Sequence, residues 1–414
     1  MTMSCAKARG VGFVVLVVLL VSSLPAQEPR RVACVGDSIT EGSANADARR
    51  NSWPLILGRE LEVVRPGGFR VANFGSSGAT LARRGPKPYR EQEVYEKSLA
   101  FEPDVVVINL GTNDAVLKTW EVVGPDFAQD LRDLVGVYRA LPSRPQVWLS
   151  RLTPMFDHHP RFLECQPGRA EVDAVLDAVA AELGLEVIDL GRGLEGRPLL
   201  CPDGLHPNTA GNALIAAAVQ RALVGEDALP DRSLRPRPVK GEVLGLVEKG
   251  RALRAIATGF SAGEHGIEGR GPEAFLEAGV SLAAGDFHLR ARLRMLRQEN
   301  SAAAFHLGDD VFGFEGARGR AFRNGPNMGG LRLLHPSELL WEREAWIDFE
   351  VVRNDGTVWF LVDGQIVDMA LVSGPVARFG FSPMRSTMQV ASWTVVGETR
   401  ARRPAHLVAR TWDL

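Results

Sequence analysis

Ser38, Asp203 and His206 are the residue types that turn an alcohol into a nucleophile. A serine hydroxyl attacks poorly unless a neighbouring base takes its proton. Imidazole titrates near neutrality and can be that base. Asp203 stands three positions before His206 in "CPDGLHPN" (201–208), close enough to hold the ring's tautomer and stabilise the imidazolium. The negative oxygen of a tetrahedral intermediate needs preorganised donors. The backbone N–H groups of Ser38 and Gly78 and the side-chain amide of Asn113 are the expected oxyanion hole. Ser38 lies in "VACVGDSITEG" (32–42), Gly78 in "NFGSSGAT" (73–80) and Asn113 in "GTND" (111–114). Asp37 and Asp114 read as supporting residues that orient their loops, and Gly75 as plain turn geometry.

These segments need elements that bring them together. From about residue 31 to 224, short apolar runs alternate with helical patterns. "RVACVG", "FRVANFG", "DVVVINLG", "QVWLSRL" and "LEVIDL" read as strands, with "FAQDLRDLVGVYRAL", "AEVDAVLDAVAAELG" and "TAGNALIAAAVQRALVG" as helices. Such alternation implies a parallel sheet with helices on both faces. Right-handed crossovers place every strand's carboxyl end on one edge, where ligands bind in open α/β sheets. All four segments should meet there.

"GDSITEG", "NFGSSGAT", "GTND" and "DGLHPN" resemble, in order, the sequence blocks of the GDSL or SGNH hydrolase family. The resemblance covers roughly residues 31 to 224 and implies a flavodoxin-like sheet and a serine esterase. It places Ser38 on the nucleophile, Gly78 and Asn113 on oxyanion-hole donors, and Asp203 and His206 on the paired acid and base. It also implies that no metal or organic cofactor is needed.

"GEDALPDRSLRPRPVKGE" has no periodicity and reads as a linker. The expected division is a signal peptide (1–26), a hydrolase domain (27–225), the linker (226–245), a β-sandwich (246–400) and a tail (401–414). The last third alternates apolar and polar residues between turns such as "NDG" and "VDG". From Trp346 to Val396 it resembles concanavalin-like, laminin-G-type jelly rolls, which implies an antiparallel sandwich with a glycan as expected ligand. Trp341, Trp346, Trp359 and Trp393 are candidates for stacking on sugars, although strand aromatics more often pack inward. Asp309 and Asp310 make no clear calcium-ligand cluster.

Composition narrows the classes. The 414 residues carry a net charge of −2, so no overall basic field points to nucleic acid, and Arg402-Arg403 is a short surface cluster. Lys7 and Arg9 precede "VGFVVLVVLLVSSL", and Ala26 follows within "PAQEP", the pattern of a secretory signal peptide. The chain is therefore expected to be exported, periplasmic or extracellular, with no stable membrane span after signal removal. Cys34 reads as a small buried residue, Cys5 leaves with the signal, and Cys165 and Cys201 are a candidate disulfide beside the site.

Two competing features are weak. "GFSAG" (259–263) fits the G-x-S-x-G nucleophile elbow, but no helical pattern follows it, so Ser261 reads as a turn residue. His158 and His159 in "FDHHP" read as exposed loop histidines rather than, with Asp157, zinc ligands. The expected function is an exported esterase releasing acyl groups, foremost acetyl, from an acylated small molecule or polysaccharide. The alternatives are a lysophospholipase or thioesterase, or a carbohydrate-binding protein whose hydrolase domain is inert.

Overall fold

The computed structural model describes residues 28–225 and 236–401, apart from 44, 46–47, 297–302, 316–319, 328–331, 334–341, 343 and 373. The expected signal peptide, Trp341, Arg402-Arg403 and most of the expected tail lie outside the described residues. So does the first half of the expected linker. No described helix is long and apolar enough to cross a membrane.

The first domain runs β1 (Arg30–Gly36), α1 (Ser38–Glu41), α2 (Ala48–Asn51), α3 (Trp53–Val64), β2 (Phe69–Gly75), α4 (Glu93–Ala100), β3 (Val105–Asn109), α5 (Leu117–Arg139), β4 (Gln146–Arg151), α6 (Phe162–Leu183), β5 (Glu186–Asp189) and α7 (Thr209–Val224). Its five strands pair in parallel in the order β2-β1-β3-β4-β5. That is the doubly wound, flavodoxin-like order, whose crossover direction reverses beside β1. Alternation along the buried strands divides the core. Val32, Cys34, Val105 and Val107 face α3 and α7, while Ala33, Val35, Val106 and Ile108 face α5 and α6.

Strand positions follow the apolar runs closely, but two helices are longer than their periodic segments. α5 begins at Leu117, ten residues before the expected start at Phe127, and α6 at Phe162 rather than Ala170. Pro125 and Pro167 lie inside these extensions and hide them from periodicity. Buried Trp120 and Val123 in one extension, and Cys165 in the other, supply the packing that outweighs the prolines.

The second domain consists of two antiparallel sheets of nine and seven strands. They share one apolar core, in which Phe312 of the smaller sheet stacks on Phe360 of the larger at 4.9 Å. Its first strand, Val243–Glu248, starts inside the expected linker. The "NDG" and "VDG" turns join Ile347–Asn354, Thr357–Val362 and Gln365–Leu371 into successive hairpins. In both turns the Asp and Gly have positive φ, Asp355 and Gly356 at 50° and 78°, Asp363 and Gly364 at 47° and 76°. Two successive positive φ angles match the right-handed twist of the flanking strands.

Three expectations are corrected. Cys165 and Cys201 are buried free thiols, so the expected disulfide is not formed in this structure. Both pack in the apolar cluster that holds α7. Ser261 sits in a strand, Phe260–Gly263, paired with Gly266–Arg270, rather than in a turn, and among the described residues no helix follows it. His158 is not an exposed loop histidine: its side chain is 4% exposed and stacks on Phe156.

Candidate active site

β1 ends at Gly36, and Asp37 caps the short helix α1 by accepting the Ile39 N–H at 2.9 Å. The cap turns the chain sharply and puts Ser38 at the first helical position. β2 ends at Gly75, packed so tightly on α1 that an added Cβ would lie 2.1 Å from the Glu41 nitrogen. The loop then rises to Gly78, whose φ of +77° is a left-handed conformation that favours glycine. Beyond β3, the turn of residues 111–115 carries Asn113 and Asp114. The loop before α7 carries Asp203 and His206. Four loops therefore meet at the carboxyl edge of β1, β2 and β3.

The Ser38 Oγ lies 2.9 Å from His206 Nε2, and His206 Nδ1 lies 2.7 Å from Asp203 Oδ2. The other Asp203 oxygen accepts the backbone N–H groups of Leu205 (3.0 Å) and His206 (2.7 Å). Burial alone would raise the Asp203 carboxyl. The hydrogen bond and charge of His206, with the two amides, outweigh it and hold Asp203 at about 2. For His206 the same balance runs the other way. Burial lowers it, and the hydrogen bond and charge of Asp203 raise it by more, leaving it above its ordinary value. Ser38 is almost fully buried at 6% exposure.

The expected donors Gly78 and Asn113 lie on the loops that follow β2 and β3. Asn113 Nδ2 donates to the Ala79 carbonyl at 3.0 Å, which ties this amide to the residue after Gly78. Among the described residues, the Ser38 and Gly78 N–H groups donate to no protein acceptor. Backbone N–H groups left without a protein acceptor suit an anionic oxygen.

Asp37 and Asp114 are wholly enclosed. Asp114 accepts the N–H groups of Leu81 (2.9 Å) and Ala82 (2.9 Å), fixing the loop that follows Gly78. Burial raises Asp114 to about 7 against the pull of those amides. It raises Asp37 to about 6 against the Ile39 amide and the charge of His206. His158 and His159 brace the histidine loop. His158 Nε2 lies 3.1 Å from the Cys201 carbonyl, and the Phe156 N–H donates to the Gly204 carbonyl at 2.7 Å. Among the described residues, no group of His, Cys, Asp and Glu is placed to hold a metal ion.

Some contributors gave no signal in the sequence. Asn73 ties β2 to α1 by donating to the Thr40 carbonyl and accepting the Gly75 N–H. Glu41 accepts the Ser77 N–H at 2.9 Å, and Lys87 donates to the Ser77 carbonyl at 2.7 Å. The second domain also reaches the loop after His206. Asn208 caps α7 through Gly211 and donates to the Val367 carbonyl. Buried Arg323 donates to Thr209 Oγ1 and pairs with buried Asp368 at 2.6 Å. Thr209 in turn bonds to Asn45 of the loop after α1. Asn208 and Thr209 stand in the "HPNT" stretch, but Val367, Arg323 and Asn45 are more than 100 residues away from them.

The four loops sit on a flavodoxin-like α/β domain whose Ser38 is hydrogen-bonded to an imidazole. Residues 34–214 match the GDSL-like lipase/acylhydrolase family. An acetylxylan esterase of Xylanibacter ruminicola is 31% identical over 218 residues, covering 48% of this chain. The match spans 44% of that protein's length. Among solved structures, a carbohydrate acetylesterase of Sinorhizobium meliloti aligns over 47% of this chain and 98% of its own (21% identity, TM-score 0.38). A two-domain esterase active on acetylated mannans, crystallised with mannopentaose, aligns over 89% of this chain and 92% of its own (15% identity, TM-score 0.36).

Proposed function

We propose that the protein is an exported serine esterase that removes acyl groups, foremost acetyl, from carbohydrate. The observation that carries this reading is the unbroken hydrogen-bonded line Ser38–His206–Asp203, with links of 2.9 and 2.7 Å. Ser38 Oγ attacks the ester carbonyl carbon as His206 Nε2 takes its proton. The carbonyl oxygen becomes an oxyanion held by the Ser38 and Gly78 N–H groups and the Asn113 amide. Collapse breaks the ester C–O bond, and the imidazolium returns the proton to the departing sugar oxygen. Water, deprotonated by His206, then attacks the acyl-serine and releases the carboxylic acid. Asp203 holds Nδ1–H throughout and stabilises the imidazolium.

The acetylated-carbohydrate substrate is supported by the 31% identity to an acetylxylan esterase. The second domain would present the polysaccharide. Trp346, partly exposed beneath the Arg294 guanidinium, is the aromatic best placed to meet a sugar. Trp393 is enclosed between Phe379 and Phe381, and Trp359 packs against the first domain.

The test is acetate release by purified protein from acetylated xylo- and manno-oligosaccharides, p-nitrophenyl acetate and a lysophospholipid, alongside Ser38→Ala and Ser261→Ala. Turnover of the acetylated sugars that only Ser38→Ala abolishes is the expected result. Preference for the lysophospholipid would replace the carbohydrate reading. Full activity in Ser38→Ala would remove the mechanism.

A further inference from the structure

Resting on Gly78 as an oxyanion donor, we propose that Lys87 is a positioning residue that orients and polarises that donor. The Ser77 carbonyl and the Gly78 N–H belong to one planar peptide unit, so they point in opposite directions. The Lys87 ammonium donates to the Ser77 carbonyl at 2.7 Å. It therefore grips the unit from the side opposite the N–H. A cation on the carbonyl oxygen draws electron density through the amide and strengthens the N–H as a donor.

Independent contacts fix Lys87 in this place. Its own carbonyl accepts the Thr80 N–H at 2.8 Å, and the Tyr89 N–H donates back to the Thr80 carbonyl at 2.8 Å. The loop that carries Lys87 therefore closes on itself two residues beyond Gly78. Asp114 anchors the start of the same loop through Leu81 and Ala82. The preceding peptide unit is pinned as well, because the Ser77 N–H donates to Glu41. The Lys87 stem also runs past Gly78, where an added Cβ would meet its Cδ at 3.8 Å. With the Gly78 N–H unspent on any described protein acceptor, this unit is oriented, charged and ready to receive an anion.

One oxyanion donor is worth about 10²–10³ in kcat. A neighbouring bond strengthens a hydrogen bond by about 10–30%. Loss of the ammonium should therefore lower kcat about two- to eightfold, because the donor itself remains.

The experiment compares Lys87→Met, Lys87→Gln and Lys87→Arg with the wild-type chain on p-nitrophenyl acetate. It also measures inhibition by an aryl trifluoromethyl ketone, whose carbonyl carbon is attacked by Ser38 Oγ to leave a hemiketal oxyanion. Lys87→Met should lose two- to eightfold in kcat with KM unchanged, and weaken the ketone by the same factor. Lys87→Arg should restore both, and Lys87→Gln, a donor without charge, should fall between. Unchanged kcat in Lys87→Met overturns the proposal. So does a loss that appears in KM, or one the ketone does not share, because either reports a disturbed loop. A wild-type chain that turns over no ester and takes up no ketone would instead sink the esterase reading itself.

Discussion

His206 Nε2 sits 2.9 Å from Ser38 Oγ although 168 residues separate them in the chain. The sheet order makes that meeting possible, since β1 lies inside the sheet between β2 and β3 and the loop before α7 returns across its carboxyl end. The charge state of the imidazole then governs what Ser38 can do.

Ester hydrolysis should fall on the acid side, because a protonated His206 cannot accept the serine proton. Asp203 raises the His206 value, so the acid limb of kcat/KM should have its midpoint above the ordinary histidine value of about 6.5. Replacing Asp203 with Asn removes that support. The midpoint should move down, and kcat should drop by about 10²–10⁴-fold as the ring loses its tautomer control. A pH–rate series on the two proteins checks both shifts.

Asp203 also makes stability depend on acid. Its folded value of about 2 lies below the ordinary 3.8, so its contribution is complete above pH 4 and disappears as pH falls through 2. Urea midpoints of wild type and Asp203→Asn between pH 2 and 5 should converge toward the acid end. A constant gap would show that the carboxylate is not what distinguishes them.

Removing the Asn113 amide by Asn113→Ala should lower kcat by about 10²–10³-fold with little effect on KM, the mark of a donor used in the transition state. Single-turnover kinetics would place the loss in acylation.

Asp114→Ala leaves the Leu81 and Ala82 N–H groups buried without an acceptor. Each orphaned donor costs about 1–3 kcal/mol, so the variant should lose about 2–6 kcal/mol in urea unfolding. Activity should fall with it, as the loop carrying Gly78 and Lys87 loosens.

The five parallel strands were legible because each is a short apolar run ending at a breaker, and the hydrogen-bonded meeting of Ser38, His206 and Asp203 because these residues stand in compact loops. The extended starts of α5 and α6 were not, since Pro125 and Pro167 interrupt the periodic pattern that long-range packing overrides. The early strands of the second domain, such as Gly266–Arg270 and Phe275–Ala278, are short and carry glycine or charge, so alternation is faint. Lys87 and Arg323 could not be found from sequence at all. A lysine in a loop and an arginine in a strand acquire their roles only from carbonyl and carboxylate groups that folding brings to them.

Breaking the Arg323–Asp368 pair, which lies within the second domain, tests the support behind the Arg323–Thr209 bond to the first. Arg323→Met strands a buried carboxylate, which should cost about 3–5 kcal/mol. Arg323→Met combined with Asp368→Leu should recover most of that stability, as measured by urea midpoints.

The apolar contact between the domains bears on how such a chain can be rebuilt. Trp359, Leu361 and Met369 of the second domain share one apolar cluster with Leu200, Ala210 and Leu214 of the first. The α/β domain therefore has no finished outer surface on that side. Cut at residue 225, it would show that bare face to water and tend to self-associate. Fused to a different module, it would need a matching face as well as a tether, so the two halves work as a fitted couple.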